Sequence, residues 1–261
     1  MPDQTDIMID VQGVSKSYVT HDGAVEAIRS VSFQVHRGEF VAILGPSGCG
    51  KSTLMLIIAG LLEPSDGKVY MAGSQVVSPQ TDIGIVFQRP VLLDWRNALG
   101  NVLIQVELRR LNPQDYEARA RYLLKSTGLE GFENKYPFEL SGGMQQRVSI
   151  CRALVHNPPL LMMDEPFGAL DALTREQMRI DVERVMMEEQ KTVLFVTHSI
   201  PEAVQLADRV VVMGPRPSVI ERIIDIDLPR PRHRAVQESP RFLDYVREIT
   251  DIFMVRGVLH D

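Results

Sequence analysis

Short stretches of alternating apolar and polar residues open the chain. The alternation covers residues 7–41 and is interrupted at residues 21–23 and 37–38, where the sequence has His-Asp-Gly and Arg-Gly. Such a pattern predicts antiparallel strands joined by tight turns. Phe40–Leu44 is entirely apolar and ends at Gly45, which is typical of a buried strand that leads into a loop.

Helical patterns dominate the middle of the chain. Residues 52–62 predict an apolar helix, and residues 68–87 return to strand-like stretches. From residue 97 to about residue 157 the periodicity is helical, with predicted helices at 101–111, 112–128 and 141–156 and a connector at 129–140. These helices are predicted to form an insert between two strands of what is otherwise one sheet.

Strands and helices alternate in the last third. The pattern predicts strands at 160–163, 192–197 and 209–213, separated by helices at 172–190 and 201–207. Alternation of this kind indicates a mostly parallel sheet with helices on its faces. Residues 228–234 are predicted to be a stiff, basic Pro-Arg linker to a tail helix that Ser239 and Pro240 would start.

These elements predict an α/β domain over residues 1–225, with the helical insert at about 90–157. The basic linker and the helical tail would occupy residues 226–261.

Composition narrows the class of protein. The chain has 261 residues, of which 44% are apolar and 24% are charged, as in ordinary soluble globular proteins. No apolar run approaches the ~20 residues that cross a bilayer, and the polar, acidic N-terminus lacks the pattern of a signal segment. A cytosolic protein is expected, whose membrane contact would come through a partner.

Charge and cysteine content argue against a nucleic-acid-binding protein and against a disulfide-rich protein. The formal charge of −6 argues against a broad nucleic-acid surface, which is usually basic. Two cysteines, Cys49 and Cys151, are too few for a disulfide framework in a domain of this size. We therefore expect a reducing compartment.

The loop after the Phe40–Leu44 strand has the Walker A pattern Gly-x-x-x-x-Gly-Lys-Ser. Its glycines let backbone amides point at a phosphate, and the following helix adds its positive N-terminal end. A Gly-rich turn with a chance Lys-Ser is the alternative, but the flanking strand and helix favour a phosphate-binding loop. Lys51 is expected to bridge the β- and γ-phosphates of ATP, and Ser52 to bind Mg²⁺. The predicted nucleotide-binding residues of the loop are Gly45, Pro46, Ser47, Gly48, Cys49, Gly50, Lys51, Ser52 and Thr53.

Cys49 permits two interpretations. A thiol near a helix N-terminus tends to have a lowered pKa, so its alkylation could block ATP binding. The favoured alternative is that Cys49 is a small residue that fits the loop.

Two further motifs follow along the chain. Asp164 ends the predicted strand at 160–163, and Glu165 comes directly after it; a solvated turn is the alternative to a site. Ser141, Gly142 and Gly143 open a predicted helix, where free amides and a hydroxyl can bind an anion. A plain serine cap is the alternative there.

The order of these motifs resembles the ATP-binding cassette family, the nucleotide-hydrolysing subunits of membrane transporters, over nearly the whole chain. The match rests on the Walker A loop, then Leu-Ser-Gly-Gly-Met, then Asp-Glu. The resemblance implies a P-loop NTPase (RecA-like) core with a mostly parallel sheet, an N-terminal antiparallel β subdomain and an inserted α-helical signature subdomain. The implied cofactors are ATP and Mg²⁺.

The same resemblance implies a role for each polar residue of the site. Asp164 would hold Mg²⁺, Glu165 would polarise the attacking water, and Gln88 would reach both the metal and that water. His198 would contact the γ-phosphate, although a lone histidine after a strand is usually structural. Tyr18 would stack on adenine, although a strand tyrosine is more often packing.

A second copy of the chain is implied as well. In the family, the Ser-Gly-Gly element of one subunit covers the γ-phosphate bound to the other, and the aspartate that Asp171 matches lies along the seam. Ser141, Gly142, Gly143 and Asp171 would therefore complete the site of a partner ATPase subunit.

Membrane partners are implied by residues 88–102. This segment contains the only tryptophan of the chain, Trp95, with apolar residues between charges. In the family such a surface receives a helix of a transmembrane permease subunit; a turn in the helical core is the alternative.

Residues 166–174 and the Leu-Pro-Arg-Pro-Arg segment look like the nitrate/sulfonate/taurine importer branch, although Leu-Leu-Asp-Trp departs from its common Leu-Leu-Pro-Trp. A small anionic solute, an external solute-binding protein and a peripheral position on the cytoplasmic face of the cell membrane would follow. A soluble cassette ATPase of nucleic-acid or ribosome metabolism is the rival, but no zinc motif, second cassette or long basic linker supports it. A simple P-loop kinase would have no use for the Ser-Gly-Gly element.

Overall fold

The computed structural model describes residues 6–20, 23–168, 170–232 and 234–258. It contains two compact units: Met1–Thr81 with Thr192–Asp261 form the first, and Asp82–Lys191 form the second. In chain order the elements are β1 (Ile7–Thr20), β2 (Gly23–His36), β3 (Phe40–Leu44), α1 (Lys51–Ile58), β4 (Asp66–Met71), β5 (Ser74–Gln75), β6 (Ile83–Val86), α2 (Ala98–Leu108), α3 (Pro113–Ser126), α4 (Gly142–Leu154), β7 (Leu160–Asp164), α5 (Ala172–Glu189), β8 (Thr192–Thr197), α6 (Ile200–Leu206), β9 (Arg209–Met213), β10 (Ile220–Asp225) and α7 (Pro240–Val255).

The first unit begins with an antiparallel sheet in the order β2-β1-β4-β5. β1 pairs with β2 on one side and with β4 on the other. Ile9 and Val11 of β1 are buried, because alternate side chains of a strand face the interior. Val14 is also buried, and a shift of register between Val11 and Val14 accompanies this change in the alternation. The predicted N-terminal antiparallel subdomain is confirmed.

A second sheet of the first unit carries the phosphate loop. β3 lies between β8 and β9 and is parallel to both, and β10 adds to β9 in the antiparallel sense. All five residues of β3 are buried, as expected of a strand covered on both faces. The parallel core that the alternating strands and helices predict is confirmed, with β10 as an antiparallel edge strand.

In its described residues, the second unit combines a parallel strand pair with four α-helices. β6 and β7 are parallel neighbours, and α2, α3, α4 and α5 lie in the same unit. Leu123, Val148 and Leu154 are fully buried. The predicted helical insert lies within this unit.

Some element boundaries differ from those that the sequence predicts. α2 begins at Ala98 instead of residue 101, because the side chain of Asn97 accepts a hydrogen bond from Gly100 and caps the helix. α1 ends at Ile58 instead of residue 62. The predicted connector at 129–140 contains a short 3₁₀ turn at Pro137–Glu139.

The segment predicted to be a stiff, basic linker is held within the first unit by Arg230 and Arg232. The Arg232 side chain is 1% exposed and donates to the carbonyl oxygens of Val204, Gln205 and Ala207 at the end of α6. Arg230 donates to the Leu206 carbonyl and pairs with Asp208. The two guanidinium groups therefore donate to carbonyl oxygens that have no partner within the helix because they lie at its end.

Across the described parts of the chain, the structure contains no helix with both the length and the apolar character needed to span a membrane.

Candidate functional site

The phosphate loop connects β3 to α1 in a conformation that requires glycine at several positions. Gly48 and Gly50 have φ values of +76° and +113°, which residues with a side chain rarely adopt. A methyl group on Gly45 would lie 2.8 Å from the Met213 carbonyl oxygen. The end of β9 therefore leaves room at Gly45 for a hydrogen atom alone.

Lys51 is the charged group at the centre of this loop. Its side chain is 3% exposed, and Nζ donates to the carbonyl oxygens of Gly45 at 2.9 Å and Pro46 at 3.0 Å. These bonds orient the ammonium group within the loop before any ligand arrives. An ammonium group held in this way can bind a phosphate without first losing side-chain freedom.

Tyr18 lies beside the loop. Its hydroxyl is 3.2 Å from Oγ1 of Thr53, in the first turn of α1, and the side chain is 39% exposed. The Lys16 ammonium group is 5.5 Å from the ring centroid. The half-exposed ring therefore adjoins the start of α1, and part of its surface is open to a ligand.

His198 follows β8 in the first unit and is exposed. The turn that contains it is held by Thr197, whose hydroxyl donates to the Glu202 carboxylate at 2.8 Å and accepts from the Ser199 amide at 3.0 Å. Ser199 also caps α6. The imidazole therefore stands on a turn with a defined backbone conformation.

The second unit brings Gln88 and Glu165 together. A methyl group on Gly168 would lie 3.7 Å from Nε2 of Gln88 and 3.9 Å from Oε2 of Glu165. Asp164 ends β7 directly before Glu165. Glu165 has a φ of +44°, and a non-glycine residue in this region costs about 1–3 kcal/mol, which is typical of functional positions.

Two side chains of α4 hold the backbone around Gln88. Gln146 donates to the Phe87 carbonyl at 3.2 Å, and Arg152 donates to the carbonyls of Pro90 and Val91. Sequence reasoning missed both residues. Both lie in the helix predicted after the Ser-Gly-Gly element, but their spacing of six residues gives no sign that they share a role.

Ser141 caps α4, since its Oγ accepts from the Met144 amide at 3.3 Å. A methyl group on Gly142 would meet no atom within 4 Å, whereas one on Gly143 would lie 2.5 Å from Cγ2 of Thr174 in α5. Gly142 thus faces open space, and Gly143 allows two helices to approach closely. The serine-cap interpretation is therefore correct for the side chain, and it leaves the first amides of α4 for an anion.

Asp171 caps α5 through Oδ1, which accepts from the Thr174 amide at 3.0 Å. Hydrogen bonds from the Thr174 side chain and backbone lower the pKa of this carboxyl group below its ordinary value. Asp171 is therefore an anion at neutral pH, at the start of a helix in the second unit.

The two units divide the predicted site residues. Tyr18, the phosphate loop with Ser52, and His198 lie in the first, and Gln88, Asp164, Glu165, the Ser-Gly-Gly element and Asp171 lie in the second. Among the described residues, no group of three or more His, Cys, Asp or Glu side chains could hold a metal ion. Ser52 of the first unit, and Gln88 and Asp164 of the second, each offer an oxygen of a kind that Mg²⁺ accepts as a ligand.

Cys49 is 2% exposed, and its thiol lies 2.9 Å from the position that a methyl group on Gly45 would occupy. The thiol fills the space beneath the loop. This geometry supports the interpretation of a small residue that fits, and it argues against ready alkylation.

Trp95 is 73% exposed on the segment between β6 and α2. The buried Asn101 side chain holds this segment: its amide group donates to the Leu93 and Arg96 carbonyls and its oxygen accepts from the Leu93 amide. The segment that sequence reasoning singled out is therefore ordered and presents a large apolar side chain to solvent.

Comparison with known proteins places this geometry in a family. The sequence profile described as ABC transporter matches residues 28–168. An uncharacterized ABC transporter ATP-binding protein of Methanocaldococcus jannaschii is 44% identical over 96% of this chain and 92% of its own length. A taurine import ATP-binding protein of Rhizobium johnstonii is 42% identical over 97% of both chains. A nitrate import ATP-binding protein of Synechococcus elongatus is 41% identical over 95% of this chain and 92% of its own.

A solved structure shows the same fold. It is described as a dimeric, post-hydrolysis state of an ATP-binding cassette bound to ADP and Pi. It is 34% identical, has a TM-score of 0.75, and covers 85% of this chain and 100% of its own. The chain therefore belongs to the ABC transporter family, as one of its ATP-hydrolysing cassette subunits.

Proposed function

We propose that this chain hydrolyses ATP on the cytoplasmic face of a membrane to drive import of a small anionic solute such as nitrate, a sulfonate or taurine. The main support for a nucleotide-binding site is the buried Lys51 ammonium group, which the carbonyl oxygens of Gly45 and Pro46 hold within the phosphate loop. The solute class is supported by the nitrate and taurine import relatives that match almost the whole chain.

Each predicted site residue of the first unit has a proposed role at the nucleotide. Lys51 and the amides of the phosphate loop bind the β- and γ-phosphates. Tyr18 stacks on adenine with its exposed ring, and His198 contacts the γ-phosphate.

Mg²⁺ would be held by Ser52, Gln88 and Asp164, together with the phosphates. When bound, the ion neutralises the charge that develops on the transferred phosphoryl group.

The second unit provides the groups that act on water. The Glu165 carboxylate accepts a hydrogen bond from the attacking water, and the nearby Gln88 amide orients it. Since phosphoryl transfer depends mainly on positioning and charge stabilisation, the anchoring of the Gln88 segment by Gln146 and Arg152 supports this assignment.

A second copy of the chain is the proposed partner at the nucleotide. The open space at Gly142 and the amides at the start of α4 support binding of a γ-phosphate presented by another subunit. Asp171 would lie along the seam between the copies.

Permease subunits are the proposed membrane partner, and the ordered segment with Trp95 is their proposed docking surface. An exposed apolar side chain on a fixed backbone is typical of an interface anchor. An external solute-binding protein would act indirectly through the permease.

Reconstitution tests the proposal. The chain would be co-expressed with candidate permease subunits from the same genome and placed in proteoliposomes that enclose nitrate, taurine or an alkyl sulfonate with its binding protein. One solute should stimulate ATP hydrolysis at least about tenfold, as expected when a bound partner assembles the catalytic geometry. The Trp95→Ala variant should lose this stimulation and keep ATP binding.

Two outcomes contradict the proposal. Hydrolysis stimulated by DNA or ribosomes, and by none of the solutes, would favour the cassette ATPase of nucleic-acid metabolism. Failure of wild-type protein to bind ATP would exclude the nucleotide site itself.

A further inference from the structure

The loop between β9 and β10 lies against the phosphate loop within the first unit. Met213, the last residue of β9, contacts Gly45 so closely that no side chain would fit there. Residues 214–219 follow and lead into β10. This connection therefore starts at the base of the phosphate loop.

Ser218 holds the far end of this connection. The residue is fully buried; its amide donates to the Ala27 carbonyl at 3.1 Å, and its carbonyl accepts from the Arg29 amide at 2.9 Å. Its hydroxyl donates to the Gly214 carbonyl at 2.6 Å. The strand segment that receives Ser218 also borders the phosphate loop, because a methyl group on Gly50 would lie 3.0 Å from Cγ1 of Ile28.

Arg216 lies between Met213 and Ser218 in this connection. Its side chain is exposed, and a methyl group on Gly48 would lie 3.7 Å from Nη2 of the guanidinium. Among the described residues, this guanidinium group has no ion-pair or hydrogen-bond partner. Its positive charge therefore adjoins the phosphate loop and is available to a ligand there.

We propose that Arg216 is a further nucleotide-binding residue, whose guanidinium group binds the phosphates of the ATP held by the phosphate loop. The inference rests on the proposed ATP site and adds a residue that no motif of the sequence contains. An arginine donates through a planar fork that matches phosphate oxygens, whereas lysine offers a single charged centre. Because Arg216 is exposed, its contribution is that of a solvent-screened ion pair and not of a buried one.

Nucleotide titration of the purified full-length chain tests this assignment. Wild-type, Arg216→Ala, Arg216→Lys and Lys51→Ala proteins would be titrated with fluorescent N-methylanthraniloyl ATP and ADP. Arg37→Ala is the matched control, because Arg37 is also exposed and lies in the turn before β3, at the opposite end of this strand from the phosphate loop. It removes the same charge from the same unit.

Arg216→Ala is expected to weaken binding of both nucleotides by about fivefold, the size of an exposed charge-assisted contact. Arg216→Lys should lie between this variant and wild type, and Arg37→Ala should match wild type. Raising the salt from about 0.05 M to about 0.5 M should shrink the difference between wild type and Arg216→Ala, because exposed charges are screened.

Unchanged binding by Arg216→Ala, with binding lost in Lys51→Ala, would overturn the role of Arg216 and leave the ATP site intact. A fivefold loss that does not change with salt would assign Arg216 to loop structure instead of phosphate binding. Absence of nucleotide binding by wild-type protein would reject the ATP site, and the inference with it.

Discussion

Burial decides the reactivity and the protonation of several side chains of this protein, including one that belongs to a motif. Cys49 belongs to the phosphate loop, yet its thiol fills the space under Gly45. Cys151 is also buried, with its Sγ 3.3 Å from the Thr127 hydroxyl. Burial raises the pKa of the Cys151 thiol to about 12, so this group is protonated at any physiological pH.

Neither thiol is therefore expected to react in the folded protein. Ellman's reagent should modify Cys49 and Cys151 at least about a hundredfold more slowly in buffer than in urea, since reactivity requires an accessible thiolate. Stopped-flow absorbance measures both rates. Rapid reaction of Cys49 in buffer, suppressed by ATP, would instead support the alkylation hypothesis.

His156 is a second residue whose environment decides its charge. Burial, assisted by the positive charge of Arg109 and opposed by Asp82, lowers its pKa from 6.5 to about 4. Between these values the unfolded chain binds a proton that the folded chain does not. The free energy of unfolding therefore falls as the pH falls through this range.

Replacing His156 with glutamine should remove this dependence. Between about pH 7 and about pH 5.5, wild type should lose roughly 0.5–1 kcal/mol more stability than His156→Gln, after allowance for solvent at a half-buried site. Urea unfolding at the two pH values measures the difference. Equal losses in the two proteins, or a histidine pKa near 6.5 by NMR, would contradict the assignment.

At the scale of elements, local sequence signals locate most helices and strands but miss contacts made by distant residues. The apolar run of β3 and the Asn-Pro start of α3 were sufficient to identify both elements. Asn97 could have corrected the start of α2, because asparagine is a common helix cap. No local signal shows that Arg232 is buried, since its partners are carbonyls at the end of α6, more than twenty residues earlier.

Arg232 is expected to matter for stability more than its Pro-Arg context suggests. Arg232→Ala leaves several buried carbonyls without donors and should lower the free energy of unfolding by about 3–5 kcal/mol. The control is Arg234→Ala, an exposed arginine two residues away, which should change stability by less than about 0.5 kcal/mol. Urea denaturation followed by circular dichroism compares them. Similar losses in both variants would mean that Arg232 does not anchor the segment.

At the scale of the whole molecule, the motifs predict more of the site than the periodicity does. The Walker A loop, Asp164 with Glu165, and Ser-Gly-Gly supplied most of the predicted site residues. The family resemblance supplied the others, which are Tyr18, Gln88, Asp171 and His198. Gly168 and Arg216 were not found, because their importance lies in what adjoins them in space. A glycine that lies close to both Gln88 and Glu165 has no distinctive pattern along the chain.

Pairing of two copies is the whole-molecule property that Glu165 should reveal. Glu165→Gln keeps the shape of the side chain and weakens its ability to accept a proton from water, so hydrolysis should fall by at least about a hundredfold. ATP-bound pairs should then accumulate. Size-exclusion chromatography with light scattering, at saturating ATP and Mg²⁺, measures the mass.

Adding Gly142→Asp to this variant supplies the control. A side chain fits at Gly142 without a clash, and its carboxylate would repel a γ-phosphate at the start of α4. The double variant should remain monomeric. A monomeric Glu165→Gln protein that still binds ATP would argue against the paired arrangement.

The arginine-capped end of α6 links two distant parts of the chain. α6 is only seven residues long; it begins two residues after His198 and ends at the carbonyls that Arg230 and Arg232 occupy. Deleting the last thirty or so residues would therefore remove the arginines that hold one end of α6, a short helix whose other end lies beside His198. Such a truncation should lower the rate of ATP hydrolysis. A mutational screen could then wrongly assign the effect to a residue of the catalytic site.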